Sequence, residues 1–271
     1  MEFLLFQLRA PLAAWGEVAV GEYRPSANYP SQSALSGLLA AALGIWRSDE
    51  EGLSRLASGY VFAIGLQNQG QLLRDYHTAQ VASQSLLKKA PHSTRYDELN
   101  FPRQALSTIL STRDYRQNFS CVVAVQALAN APYALADLAQ ALSTPIFTLY
   151  LGRKSCPPSA PLLPQVMTAD DALTALNQYY ADLEQKHLAY MQALDLRWPD
   201  SQDQLNAPSK IQALYWSDGV ESGIRPNLTL QRKDRMVRRK PWQFADRHEY
   251  MAWLNPEDSP RPTEEMACTS A

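Results

Sequence analysis

The chain has 271 residues, 46% hydrophobic and 19% charged, a balance that suits a folded protein with its own core and excludes a solvated linker. A formal net charge of -2 and a pI near 6.1 exclude a general nucleic-acid coat protein while leaving room for a local basic site. No stretch reaches the ~18 apolar residues of a membrane span, and Met1–Arg9 lacks a signal peptide's basic start and cleavage site, so a cytoplasmic protein without a membrane role is expected.

Residues Glu2–Leu8 read as a buried strand, ended by Arg9 and Pro11. A loop follows to Pro30. Ser31 or Ser33 then caps a helix whose apolar positions Leu35, Leu38, Leu39, Ala42, Leu43 and Trp46 recur at three and four residues. Tyr60–Leu66 and Leu72–Tyr76 read as a hairpin across the polar turn Gln67–Gly70. Thr78–Thr112 breaks the rhythm and reads as a long excursion from the core, carrying Lys88, Lys89, Arg95 and Arg103. Phe119–Leu128 resumes as a strand rich in valine, Pro132–Leu142 as a helix and Phe147–Leu151 as a short strand. This order predicts an α+β, ferredoxin-like antiparallel sheet with helices on one face.

After Pro164 the pattern changes. Asp170–Leu194 reads as a long helix with Leu173, Leu176, Tyr180, Leu183, His187, Met191 and Leu194 along one stripe and two aspartates at its favourable dipole end. Ile211–Trp216 reads as a strand, Pro241–Leu254 as a last helix, and the proline-rich tail from Asn255 to Ala271 as disordered. The domain reading is therefore 1–160 with the excursion at about 78–112, an α/β extension over 161–254, and the tail.

Phosphate loops, dinucleotide fingerprints, zinc-peptidase helices and nucleophile elbows are all missing. Cys121, Cys156 and Cys268 are far apart, and His77, His92, His187 and His248 lack metal-ligand spacing, so neither metal nor cofactor is expected. The charge that stands out is local: from Arg225 to Arg247 there are eight Lys or Arg against two Asp.

A single-stranded nucleic acid needs cations for phosphates and planar groups for splayed bases. Arg74, Tyr76 and His77 supply that mixture, with Arg74 and Tyr76 on one strand face, although Tyr76 and His77 also read as a cap on a hydrophobic edge. Arg113 and Tyr115 repeat the spacing at the other base of the excursion, or form a solvated pair. Gly152-Arg153-Lys154-Ser155 suits a phosphate bend or an ordinary basic turn. Arg24 with the helix start at Ser31–Ser33 can hold a phosphate, though N-capping explains Ser33 equally well. The run Arg232–Lys240, with Arg235, reads as a backbone contact to RNA or DNA or as a solvated strand edge. Trp15 reads as a core or interface anchor.

Five segments together resemble the CasD family of type I-E Cascade subunits, within the repeat-associated superfamily of CRISPR proteins. They are Leu8–Pro11 with Ala14-Trp15-Gly16; Arg24-Pro25 with Pro30–Ser33 and Leu43-Gly44-Ile45; Arg74–Thr78; Arg113-Asp114-Tyr115; and Tyr150–Pro157. Arg232–Met236 and Gln243–Arg247 resemble the family's closing segment less well. The resemblance implies a non-catalytic subunit that grips the 5′ handle of the CRISPR guide RNA (crRNA), contacts the large subunit CasA and the first backbone subunit CasC, lies near target DNA, and projects a thumb where Thr78–Thr112 stands. The alternative is a metal-independent endoribonuclease of repeat RNA, as in relatives of other CRISPR subtypes, with Tyr76, His77 and Lys154 as the residues to enlist.

Overall fold

A computed structural model of the chain describes residues 1–89, 92–197, 209–238 and 243–254. Strand β1 (Glu2–Ala13) alternates its side chains between two cores, Leu4, Phe6 and Leu8 entering one and Phe3 and Leu5 the other. Three two-residue strands follow, β2 (Trp15–Gly16), β3 (Tyr23–Arg24) and β4 (Ser26–Ala27). Trp15 is buried edge-on against Phe119, 5.1 Å between ring centres.

Helix α1 (Gln32–Ala42) is capped by Ser31, whose hydroxyl accepts the Ala34 amide at 3.1 Å. Gly44, at φ +73°, ends it in a Schellman turn, with Ile45 N–H donating to the Ala40 carbonyl at 2.9 Å and Gly44 N–H to that of Ala41 at 3.2 Å. The helical periodicity was expected to carry Trp46 inward, but this stop leaves it beyond the helix and 69% exposed. Helix α2 (Glu50–Gly59), capped by Asp49, leads into β5 (Tyr60–Asn68).

The expected hairpin of residues 60–76 is not formed. Strand β5 and its successor β6 (Gln71–Ala82) run in one direction along the same 22-residue strand β7 (Leu106–Ala127): β5 pairs with Ser120–Ala127 and β6 with Leu106–Gln117. The polar stretch read as a reversal is only a kink at Gly70, whose φ of +73° and position against the Gln117 carbonyl exclude a side chain. The true hairpin is β6–β7, a two-stranded arm exposed along most of its length, and the excursion is its outer part. It carries two short helices, α3 (Gln84–Leu87) and α4 (Arg95–Leu99), and a 3₁₀ turn at Arg103–Ala105.

Helix α5 (Leu135–Ser143) follows β7. The strand expected at Phe147–Leu151 is absent, because the place beside β1 is taken by β8 (Gln165–Thr168). Residues 146–147 instead donate their amides to the Ala42 and Ala41 carbonyls at the end of α1. Helix α6 (Ala172–Arg197), with Asp171 accepting the Thr174 amide at 2.7 Å, buries Ala172, Ala175, Leu176, Tyr179 and Leu183. Of the other residues read along one stripe of this helix, Tyr180 and His187 are half-exposed, and the side chains of Met191 and Leu194 lie outside the described residues.

The last strands are β9 (Ala213–Ser217), β10 (Leu228–Arg238) and β11 (Gln243–Trp253). The helix expected over 241–254 is thus a strand wherever it is described: β11 pairs with β10 on one side and β9 on the other, which satisfies its backbone as a helix in that slot cannot. Arg239, Lys240, Pro241, Trp242 and the tail with Cys268 lie outside the described residues.

Among the described residues the sheet has nine strands, ordered β10-β11-β9-β5-β7-β1-β8 with β3 and β6 flanking the arm half of β7. Helices α1, α2 and α5 pack on one face. The expectation of helices on one face is corrected by α6, which covers the other with Phe3, Leu5, Val122 and Trp216 beneath it. Residues 161–254, read as an extension, add β8 through β11 to the same sheet.

Candidate nucleic-acid interface

At the root of the arm β7 runs between β3 and β6, placing Tyr23, Thr112 and Tyr76 in one cross-strand row and Arg24, Arg113 and Asp75 in the next. Adjacent rows point to opposite faces. The Arg74 and Tyr76 pair therefore shares a face, as expected, but Arg113 and Tyr115 lie on the other side of the arm.

On the first face Arg74 Nε donates to the buried Asp114 carboxylate at 2.9 Å, its Nη2 to the Tyr23 hydroxyl at 2.9 Å, and Tyr23 donates to Asp114. The Arg74 hydrogen bond holds the Asp114 carboxyl below the usual range, while the bond to Asp114 raises the Tyr23 phenol, which stays a donor. Arg74 is thus neutralised within the protein, and Tyr76 stands beside it 61% exposed. On the second face Arg113 is exposed, its Nε 3.3 Å from Ser111 Oγ, and His77 Nδ1 lies 3.3 Å from the Asp75 carboxylate. Tyr115 is buried in the core with the Arg153 guanidinium 4.7 Å over its ring, so it is a support for Arg153 and offers no ring to a base.

Arg153 spans from its loop to the arm, donating to the carbonyls of Asp114 at 3.0 Å and Arg24 at 3.1 Å. Its partners are a ring and two neutral carbonyls, so its charge is retained. Lys154 and Ser155 beside it are exposed. Gly152 does serve a close approach, but to the chain itself: at φ +89°, an added Cβ would lie 1.7 Å from the Ala14 carbonyl oxygen. Gly152→Ala should lower the unfolding free energy by about 1–3 kcal/mol through this clash and the left-handed backbone, read as a lower urea midpoint at unchanged slope.

A groove of about 720 Å³ runs between this loop and α1. Of the expected residues it gathers Arg24, Ser33 and Arg153, and it adds Arg47, Trp46 and Tyr150; its acidic lining residue is Glu17. Arg74, Tyr76, His77 and Arg113 lie on the arm outside it. Trp46 and Arg47 were missed because the periodicity was carried past the Gly44 stop; glycine followed by Ile-Trp-Arg is the signal that marks them as leaving the helix.

The start of α1 is already occupied. The Gln32 amide donates to the Asp234 carboxylate of β10 at 2.9 Å, and Ser33 Oγ lies 3.0 Å from the capping Ser31 Oγ. Asp234 belongs to a buried cluster in which Arg247 bonds Asp234 at 2.6 Å and Glu249 at 2.6 Å, Arg232 lies 3.3 Å from Glu249, and Tyr29 donates to Glu249 at 2.6 Å. Arg232, read as a nucleic-acid contact, is thereby held inside over the Tyr29 ring at 4.6 Å. Strand alternation turns Lys233 and Arg235 outward, both exposed.

The sequence pattern of the CRISPR-associated protein (Cas_Cas5) family matches residues 3–227, and the chain belongs to this family. It is 31% identical over 185 residues to the CRISPR system Cascade subunit CasD of Escherichia coli (strain K12), an alignment covering 65% of this chain and 76% of that one. Its fold is similar to a chain of a solved CRISPR RNA-guided surveillance complex, at TM-score 0.56 and 23% identity, covering 93% of this chain and 89% of that one. A crystal structure of a Cas protein is similar at TM-score 0.54 and 20% identity, covering 94% and 96%.

Proposed function

We propose that the chain is a non-catalytic subunit of a type I-E Cascade ribonucleoprotein in antiviral defence, acting in the cytoplasm. It binds the 5′ handle of the crRNA in the groove of Arg24, Arg47 and Arg153, and bridges the large subunit CasA and the backbone subunit CasC near target DNA. The observation that carries this reading is the convergence, in a net acidic protein, of three arginines and exposed rings on one groove at the foot of a projecting arm. Counting β1, β5, β7 and β8 along the chain, their spatial order is fourth, first, third, second, which supports a ferredoxin-like unit as the support of that groove. The 76% coverage of CasD and the family match add to it.

The test is purification of the tagged chain from cells expressing the whole complex and repeat RNA. It should emerge with partner subunits and RNA of one constant 5′ sequence; emergence alone, or with protein but no RNA, sinks the reading. Incubation of the purified chain with repeat RNA in EDTA should leave the RNA intact, whereas discrete cleavage abolished by His77→Ala would establish the endoribonuclease instead.

A further inference from the structure

Trp46 is the residue that the groove's architecture does not otherwise account for. Large aromatic side chains bury most of their surface in folded proteins, yet this indole is 69% exposed. Its placement is set by the backbone on both sides. The Schellman turn at Gly44 stops α1 and throws the chain outward, and residues 146–147 are tied to the last turn of the helix by the two amides described above. Phe147 is thereby fixed beneath Trp46 and props it edge-on, with ring centres 5.2 Å apart and planes at 70°. Gly44 is held to glycine twice over, by its positive φ and by Ile146, which would lie 2.8 Å from an added Cβ.

The geometry points to a base-stacking subsite at this end of the groove, in which the face of Trp46 takes one splayed base of a single-stranded nucleic acid while Arg47 and Arg24 meet the flanking phosphates. This rests on the reading of the groove as the RNA site and adds to it a subsite read by stacking. The charge of the groove selects the occupant: three arginines against Glu17 suit a polyanion, and the exposed ring propped edge-on by Phe147 offers a π-face that any base can use. An apolar protein segment would find three cations to desolvate on the same surface.

The experiment titrates the full-length chain with a fluorescein-labelled single-stranded RNA 12-mer and with the same oligomer carrying one abasic position scanned along it. Trp46→Ala should weaken the intact RNA about tenfold and leave the salt slope unchanged, since stacking releases no counterions, while Trp46→Phe keeps most of the affinity. At one position the abasic oligomer should bind the wild type as weakly as intact RNA binds Trp46→Ala, and the two changes together should cost no more than either alone. Unchanged melting temperature in Trp46→Ala shows that folding is intact. If Arg153→Ala weakens binding and Trp46→Ala does not, the subsite is refuted while the groove stands; if neither matters, the groove itself is refuted. Loss of co-purifying protein subunits with unaltered RNA affinity in Trp46→Ala would make Trp46 a protein contact and overturn the proposal.

Discussion

Glu249→Ala should be among the most destabilising single substitutions in the molecule, lowering the unfolding free energy by about 3–5 kcal/mol, because it leaves two guanidinium groups in the interior with one carboxylate between them. The side chains of Glu249, Arg247, Asp234 and Arg232 are only 2%, 7%, 10% and 15% exposed, so water cannot take over the lost partner. Tyr29 also loses its acceptor. The contrast is Arg95 with Glu98 on the arm, where Glu98→Ala should change stability by no more than about 1 kcal/mol because the arginine is half in solvent. Urea unfolding of the two variants measures both values. Equal effects would mean that the buried cluster contributes no more than a surface pair.

The same cluster sets an acid limit. Burial pushes the Asp234 carboxyl up, but the hydrogen bond and charge of Arg247, joined by Arg232, outweigh it and hold the group below its ordinary range. A carboxyl whose folded value is depressed contributes stability that is complete above its unfolded value, about 3.9, and is lost as pH falls through the folded one. Acid unfolding should therefore set in below about pH 4. Asp234→Asn should be less stable at neutral pH and show a flatter loss on acidification.

For binding, the largest effect is expected at Arg153. Its charge faces neutral carbonyls, so a phosphate meets no competing carboxylate there, whereas Arg74 must first leave Asp114. Arg153→Ala should weaken binding of single-stranded RNA uniformly across sequences and reduce the slope of log affinity against log salt by about 1. Arg74→Ala should leave the slope nearly unchanged. Titrations at several salt concentrations separate the two. Because Arg153 also ties the loop to the arm, Arg153→Lys is the companion variant: it keeps the charge and should restore the slope even though it loses the paired carbonyl bonds. If Arg74→Ala flattens the slope and Arg153→Ala does not, the electrostatic assignment is reversed.

Local patterning carries much of the fold. The apolar run of β1, the caps and period of α1, the valines of β7 and the length of α6 are each written in a few neighbouring residues, and the family is legible from short segments spread over the first 160 residues. What local patterning cannot carry is pairing. Gln67–Gly70 has the composition of a reversal, yet the 22-residue reach of β7 offers β6 a place in line with β5, and the turn becomes a kink. Residues 243–253 have a spacing compatible with a helix, yet two neighbouring strands claim their backbone.

The site divides in the same way. That arginines, rings and a glycine turn belong to the binding surface follows from residue types, because phosphates and bases require them. Which of the arginines keep their charge was decided only by tertiary structure. Asp114 neutralises Arg74, Asp234 and Glu249 take Arg232 and Arg247, Tyr115 is buried beneath Arg153, and Trp46 is turned out beside Arg47. The physical reason is that charge compensation and burial depend on partners distant in the chain, up to 220 residues apart for Tyr29 and Glu249, whereas propensity and period are properties of neighbours.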